Sequence, residues 1–326
     1  MAKLSRRKIL RLTAGVAALP ALPRIARAQT YPTRSVLLLV GYAPGGPTDI
    51  CARLISQWLS QRLGQQFVVE NRSGAGSNIA TEAAAQAAPD GYTLLLVTSS
   101  NAINATLYRN LNFDFMRDIA PIAGIMQAPS VLEVTPSFPV KTTAEFIAYA
   151  KANPGKINMG SAGNGSSSHM AGELFKMLAG VNLVHVPYRG QGPAMTDLLG
   201  GQLQVIFATT PGTTEYVRIG KLRALAVTTR ARAEALPDVP TVADFVPGYE
   251  ASQWYGFGAP KNTPPEIIEQ LNKAVNAALA DPKMKARLAD FGGTVMPGSP
   301  ADFGKLIAEE TEKWGKVVKF AGIKAD

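Results

Sequence analysis

Ser35-Val36-Leu37-Leu38-Leu39-Val40 is followed, after Gly41-Tyr42, by the turn Ala43-Pro44-Gly45-Gly46-Pro47. Ile50, Leu54, Ile55, Trp58, Leu59 and Leu63 then recur at helical spacing up to Gly64. A continuous apolar run is the mark of a strand covered on both faces, and a glycine closes a helix. Phe67-Val68-Val69-Glu70 predicts a second strand, Ser77 to Ala88 an alanine-rich helix, and Tyr92 to Val97 a third strand after the Asp90-Gly91 turn. This βαβαβ order predicts an α/β fold whose sheet is mainly parallel and flanked by helices.

The order restarts after Pro129. Strands are expected at Val131–Val134, Ile157–Gly160, Leu183–Val186, Val205–Ala208 and Leu222–Val227. Helices are expected at Thr143–Ala152, capped by Thr142 or Thr143, and at Ser167–Leu178. Trp254 to Ala259 reads as one more strand. Three strandless helices follow from Pro264, Pro282 and Pro300, with proline suited to a first helical turn. Such a tail has no sheet of its own and is expected to return to the first unit. The division predicted is a lobe of residues 29–129 plus 253–326, a second lobe of residues 130–252, two crossings and a ligand cleft between the lobes.

Residues 1–28 are read as a leader. Ser5-Arg6-Arg7-Lys8 is a paired-arginine start, Leu12 to Leu22 is a short apolar run, and Ala26-Arg27-Ala28 is a small-x-small exit. The run is too short to remain as a membrane span. Seven of the 33 Lys and Arg residues and none of the 24 acids lie there, leaving 26 bases against 24 acids. That balance excludes a nucleic-acid surface. Cys51 is the only cysteine and is read as a core residue. His169 and His185, the only histidines, stand apart from any acidic cluster, so no metal and no cofactor are expected.

Four loops carry polar chemistry at strand ends. In Tyr42–Asp49, Gly45 and Gly46 bring backbone N–H groups close to a ligand at a helix start, with Thr48 or Asp49 as the competing caps. In Val97–Asn104, Thr98, Ser99 and Asn101 line the strand-end crevice, with Ser99, Ser100 or Asn101 as the competing helix caps. In Gly160–His169, Ser161, Gly165 and Ser166 offer hydroxyls and N–H groups at the positive end of a helix. Ser166 stands where a phosphate loop needs lysine, and no Gly-x-Ser-x-Gly elbow occurs, which argues against a nucleotide site and a serine hydrolase. In Val186–Pro193, Tyr188 offers a phenol and Gln191 a helix cap, while Arg189 either binds a carboxylate or faces water; Thr209 follows a later strand.

Tyr-Ala-Pro-Gly-Gly-Pro-Thr-Asp at 42–49, Glu-Asn-Arg-Ser-Gly-Ala-Gly at 70–76, the Gly160–His169 loop, His-Val-Pro-Tyr-Arg-Gly at 185–190 and Leu-Pro-Asp-Val-Pro-Thr-Val at 236–242 together resemble the solute-binding receptors of tripartite tricarboxylate transporters, the Bug family. The resemblance covers essentially all of the chain after the leader. It implies a two-lobed Venus-flytrap periplasmic binding protein with no catalysis. It further implies a monomer that holds a small carboxylate through backbone groups, hydroxyls and ordered water and serves membrane transporter subunits or a sensor kinase. Carried over by position, the ligand contacts are Gly45, Gly46, Ser161, Gly165, Ser166 and Tyr188, followed by Thr98, Ser99, Asn101 and Thr209. Where many relatives carry Asp or Asn after the strand ending at Phe207, this chain has Ala208-Thr209-Thr210, so no acid is offered there to an ammonium group. The rival class is an exported hydrolase using a serine near His169.

Overall fold

The computed structural model describes residues 31–108, 110–210, 213–233 and 235–323. The leader read at 1–28 lies outside them. The first half runs β1 (Val36–Val40), α1 (Pro47–Leu63), β2 (Phe67–Asn71), α2 (Asn78–Ala85), β3 (Thr93–Thr98) and α3 (Ser99–Leu107). A short α4 (Phe115–Asp118) leads into β4 (Ile119–Val134). Then come α5 (Thr143–Ala152), β5 (Asn158–Ser161), α6 (Ser167–Ala179), β6 (Val184–Pro187), α7 (Gln191–Leu199), β7 (Val205–Thr209), α8 (Thr214–Arg218) and β8 (Arg223–Val227). The chain finishes with β9 (Ser252–Pro260), α9 (Pro265–Ala280), α10 (Pro282–Asp290), β10 (Thr294–Val295) and α11 (Pro300–Ala321).

The apolar runs are strands buried on both faces. Val36, Leu38 and Val40 of β1 join Leu94 and Leu96 of β3 in one core with α1, α9 and α10. Leu39, Leu95 and Val97 point the other way, into a core with Ala80, Ala84 and Phe303. β7 repeats the arrangement, with Val205 and Phe207 on one side and Ile206 and Ala208 on the other. Period-two alternation between two apolar environments explains why no alternation shows in the sequence.

Strands joined by helices pair in parallel: β1 with β2 and β3, and β5 with β6 and β7. The two strands that run between the half-sheets pair antiparallel with their neighbours, β9 with β3 and β4, and β4 with β7, β8 and β10. The sheet is therefore mixed, in the order β2-β1-β3-β9-β4-β7-β5-β6. β4 has 16 residues. At about 3.3 Å per residue it reaches roughly 50 Å, enough to serve both halves. Its Ile119–Pro129 segment pairs with β9, and its Ser130–Val134 segment with β7 and β8.

α9 and α10 pack on the first half through Leu271, Val275, Met284 and Leu288. α11 reaches further. Phe303 and Ile307 lie in a core of the first half, whereas Trp314 and Val318 join Phe146, Phe175 and Phe207 in the second. Trp254 of β9 and Trp314 of α11 both donate to Glu310, at 3.3 and 2.9 Å, which ties a crossing strand to this helix. Cys51 is buried in the first core, as its helical position predicts.

Candidate functional site

Three helices begin at one place between the half-sheets. α1 starts after Gly46, α6 after Ser166 and α7 after Gly190. Gly46, Pro47, Thr48, Ser166, Ser167, Ser168 and Gln191 line a small cavity. Tyr42, Ala162, Thr209, Gln253 and Tyr255 complete its wall. Its volume is about 20 Å³, space for about one water molecule.

The N-termini of α1 and α7 carry no side-chain cap. They also face each other: a Cβ placed on Gly46 would lie 3.7 Å from the Gly192 nitrogen. Each helix start carries roughly half a positive charge from its unpaired N–H groups, and two such ends at close range repel unless an anion lies between them. No Lys, Arg, Asp or Glu is among the described lining residues. Asp49, in the first turn of α1, is committed elsewhere, accepting from Gly45 N–H at 3.0 Å and from the Arg53 guanidinium at 2.9 Å. Burial pushes its pKa up, but Arg53, Gly45 and Asn71 outweigh this and hold it below the usual carboxylate range.

Several walls are fixed by internal hydrogen bonds. The Gln191 amide accepts from the N–H and hydroxyl of Thr209 at 2.9 and 2.8 Å and donates to its carbonyl at 3.1 Å. Ser99 donates to Gln253, positioning that amide at the cavity. The Tyr42 phenol donates to Ser100 at 2.6 Å; burial raises its pKa to about 12. The Tyr255 hydroxyl is fully buried and has no hydrogen-bond partner among the described residues. Burial raises its pKa strongly, a rise partly offset by the nearby Thr209 and Thr48 hydroxyls.

Outward from this point lies a larger cavity of about 580 Å³, sharing Tyr42 and Ala162 with the inner one. Its wall includes the Ser73–Ser77 loop, Tyr108, Asn164, Tyr188 and Arg189. Arg189 is exposed there. The backbone N–H of Ala43 donates to the Arg189 carbonyl at 3.1 Å, a direct bond across the interface. Gly190 beside it has φ 153, and a Cβ there would meet the Ala43 nitrogen at 3.2 Å, so glycine permits this approach.

Of the residues singled out in the sequence, Gly46, Ser166 and Thr209 line the inner cavity and Tyr188 the outer one. The other six stand behind the walls. Gly45 gives its N–H to Asp49. Thr98 is the N-cap of α3 and forms a capping box with Asn101, where Ser99, Ser100 or Asn101 had been the expected cap. Ser99 serves Gln253, Ser161 bonds to His185, and Gly165 packs on Asn104. The Tyr188 phenol is committed to Asp197 at 2.6 Å. The expected caps Thr48 or Asp49 for α1 and Gln191 for α7 are corrected to Gly46 and Gly190, because each helix begins at a glycine of the preceding turn. Sequence reasoning missed Gln253 and Tyr255. Both sit on β9, which reads as an apolar strand, and the lone amide of Gln253 is the one signal there.

The fold and this arrangement define a two-lobed binding protein with a candidate site between its half-sheets. Residues 51–323 match the family described as tripartite tricarboxylate transporter family receptor, and the chain belongs to that family. Among similar proteins, Protein BugT of Bordetella pertussis is 38% identical over 96% of this chain and 95% of its own. A structure described as R. palustris Rpa4515 with adipate superposes with a TM-score of 0.88 at 39% identity, covering 90% of this chain and 99% of that one. MatC from Rhodopseudomonas palustris with bound malate gives 0.85 at 34% identity, covering 88% and 100%.

Proposed function

We propose that this chain is an extracytoplasmic receptor that captures a small carboxylate between its lobes and delivers it to the membrane subunits of a tripartite tricarboxylate-type transporter. The observation that carries this reading is the convergence of three helix N-termini on one cavity whose described lining groups are all neutral. Aligned N–H groups hold an anion without a counter-charge and leave no cation unpaired when the site empties. The adipate and malate in the related structures support a carboxylate as the anion.

In this reading the lobes are residues 29–129 plus 253–326 and residues 130–252, hinged at β4 and β9. The inner cavity, about 20 Å³, is too small for a whole carboxylate of several carbons, so the lobes part to admit it or its chain extends into the outer cavity. Gly46, Ser166 and Thr209 contact the carboxylate, joined by Thr48, Ser168, Gln191, Gln253 and Tyr255. Gly45, Thr98, Ser99, Asn101, Ser161 and Gly165 support them, and Tyr188 and Arg189 flank the entrance. The leader at 1–28 directs export, which places a monomeric receptor in the periplasm. No helix among the described residues is long and apolar enough to cross a membrane. Delivery to a sensor kinase is the second reading of the same capture step.

A hydrolase would need an activated serine. Ser161 and His185 approach to 2.6 Å, but Ser161 is fully buried and burial lowers the His185 pKa to about 4, a weak base at neutral pH. Ser166 is occupied as a helix cap, accepting from the His169 N–H. We therefore assign no catalysis. A thermal-shift series with adipate, malate and citrate against their amides tests the function. Carboxylates should raise the melting temperature and amides should not, since a ligand selective for the native state stabilises it. Equal shifts from the amides would remove the anion reading.

A further inference from the structure

The two histidines of the chain are stacked, with ring centroids 3.9 Å apart and planes 13° apart. They lie behind the loop that leads into α6. Gly165 donates its N–H to His169 Nδ1 at 3.2 Å. His185 Nε2 lies 2.6 Å from Ser161 Oγ, and that oxygen accepts from Gly163 N–H at 3.1 Å. The remaining loop bonds continue from there: Ser168 Oγ accepts from Ala162 N–H at 2.9 Å and lies 3.0 Å from Ser166 Oγ. Ala162, Ser166, Ser167 and Ser168 are walls of the inner cavity.

We infer that His169 and His185 are positioning residues for this anion-binding loop, and that protonating the pair loosens the loop and releases the carboxylate. The inference rests on the carboxylate reading above. An imidazole nitrogen accepts a hydrogen bond only while unprotonated. A protonated His169 would set its Nδ1–H against the Gly165 N–H. Two charged rings at stacking distance would also repel.

The surroundings favour the neutral pair. Burial, then the His185 ring and Lys176, lower His169 to about 3; burial, then Lys176, lower His185 to about 4. Among the described residues, the charged groups facing the pair are Glu173 and Lys176, both on α6, while β5 contributes the Ser161 hydroxyl. Glu173 lies 3.7 Å from His169 Nε2 but is paired with Lys176 at 2.8 Å, so it offers the imidazolium little. At neutral pH the loop is therefore held, and it loosens only in acid.

The double variant His169→Asn/His185→Gln keeps an acceptor near each ring-nitrogen position and removes both titrations. Calorimetry with adipate and with malate should follow the affinity of wild type and variant from pH 7 down to pH 3, each normalised to its own value at pH 7. With either protonated ring sufficient to release the loop, the two pKa values, about 3 and about 4, predict that wild type loses affinity relative to the variant by about two-fold at pH 4 and about 20-fold at pH 3. Protonation of the ligand is common to both proteins and cancels. Imidazole nitrogen NMR should show His169 as the Nε2–H tautomer, with the Gly163 and Gly165 amide signals titrating at the ring midpoints. Superimposable pH profiles, an Nδ1–H tautomer at His169, or amides indifferent to the rings would overturn the inference. If neither acid binds at pH 7, the carboxylate reading fails by itself, and the amide titration still decides the role of the rings.

Discussion

The carboxyl group of Glu133 is fully buried on β4 and meets the Thr213 hydroxyl, which donates to it at 2.5 Å. Thr213 is its one hydrogen-bonding side chain among the described residues. Burial raises the Glu133 pKa to about 8, against a partial lowering by Thr213. The unfolded chain releases this proton near pH 4.5, whereas the folded chain keeps it to about pH 8. Between those values the folded state binds more protons, so stability falls as pH rises and levels off above 8. Glu133→Gln should remove that slope and stabilise the protein at pH 8 by a few kcal/mol. Urea denaturation of both proteins from pH 5 to 9 measures it. Parallel curves would show that Glu133 is ionised in the fold.

Gly46 separates folding from binding. Its φ of −84 and ψ of 170 suit any residue, and an added Cβ would meet nothing closer than 3.7 Å. Gly46→Ala should leave the melting temperature nearly unchanged. The methyl group would point at the Gly192 nitrogen, where the anion is expected, and should weaken carboxylate binding by about ten-fold, or ~1.4 kcal/mol. Unchanged affinity in calorimetry would move the anion away from the α1–α7 junction.

Tyr255→Phe should act with opposite signs on stability and binding. An unpartnered buried hydroxyl costs about 1–3 kcal/mol, and this one has no partner among the described residues. Its removal should raise the melting temperature of the ligand-free receptor. If the phenol donates to the bound carboxylate, the same change should weaken binding by about 1.5–3 kcal/mol, the range for a bond to a charged group. A variant that loses stability and keeps affinity would refute both parts.

Ser166 and Arg189 test how charge is recognised. Ser166 lines the inner cavity, while Arg189 lies exposed on the outer wall. Ser166→Ala should weaken binding by about 1–2 kcal/mol. Arg189→Gln should cost less, because an exposed charge is screened. The reverse order in calorimetry would make the site an arginine clamp.

The alternation of strands and helices was legible because local periodicity and turn chemistry agree throughout. Val36–Val40, the Gly45-Gly46-Pro47 turn and the helix ending at Gly64 fall where the sequence places them. The polar loops were legible as loops, since glycines and hydroxyls gather at strand ends. Their individual roles were less so. Gly45 and Ser161 carry the same residue-type signal as Gly46 and Ser166, yet one pair is consumed internally and the other lines the cavity. The antiparallel pairing of β4 and β9 was not legible either, because pairing direction depends on strands far apart in sequence.

By itself the sequence determined much of what short-range physics controls: where most strands and helices lie and which strands bury both faces, though of the 16-residue β4 it placed only Val131–Val134. Only the tertiary structure decided how those pieces meet. It set Gly46 against Gly192, brought Gln253 and Tyr255 from β9 to the cavity, stacked His169 on His185, and sent α11 from one core into the other. Each of these is a contact between segments distant in the chain. Such contacts follow from sheet order and interface packing, which one residue's identity and its near neighbours do not encode.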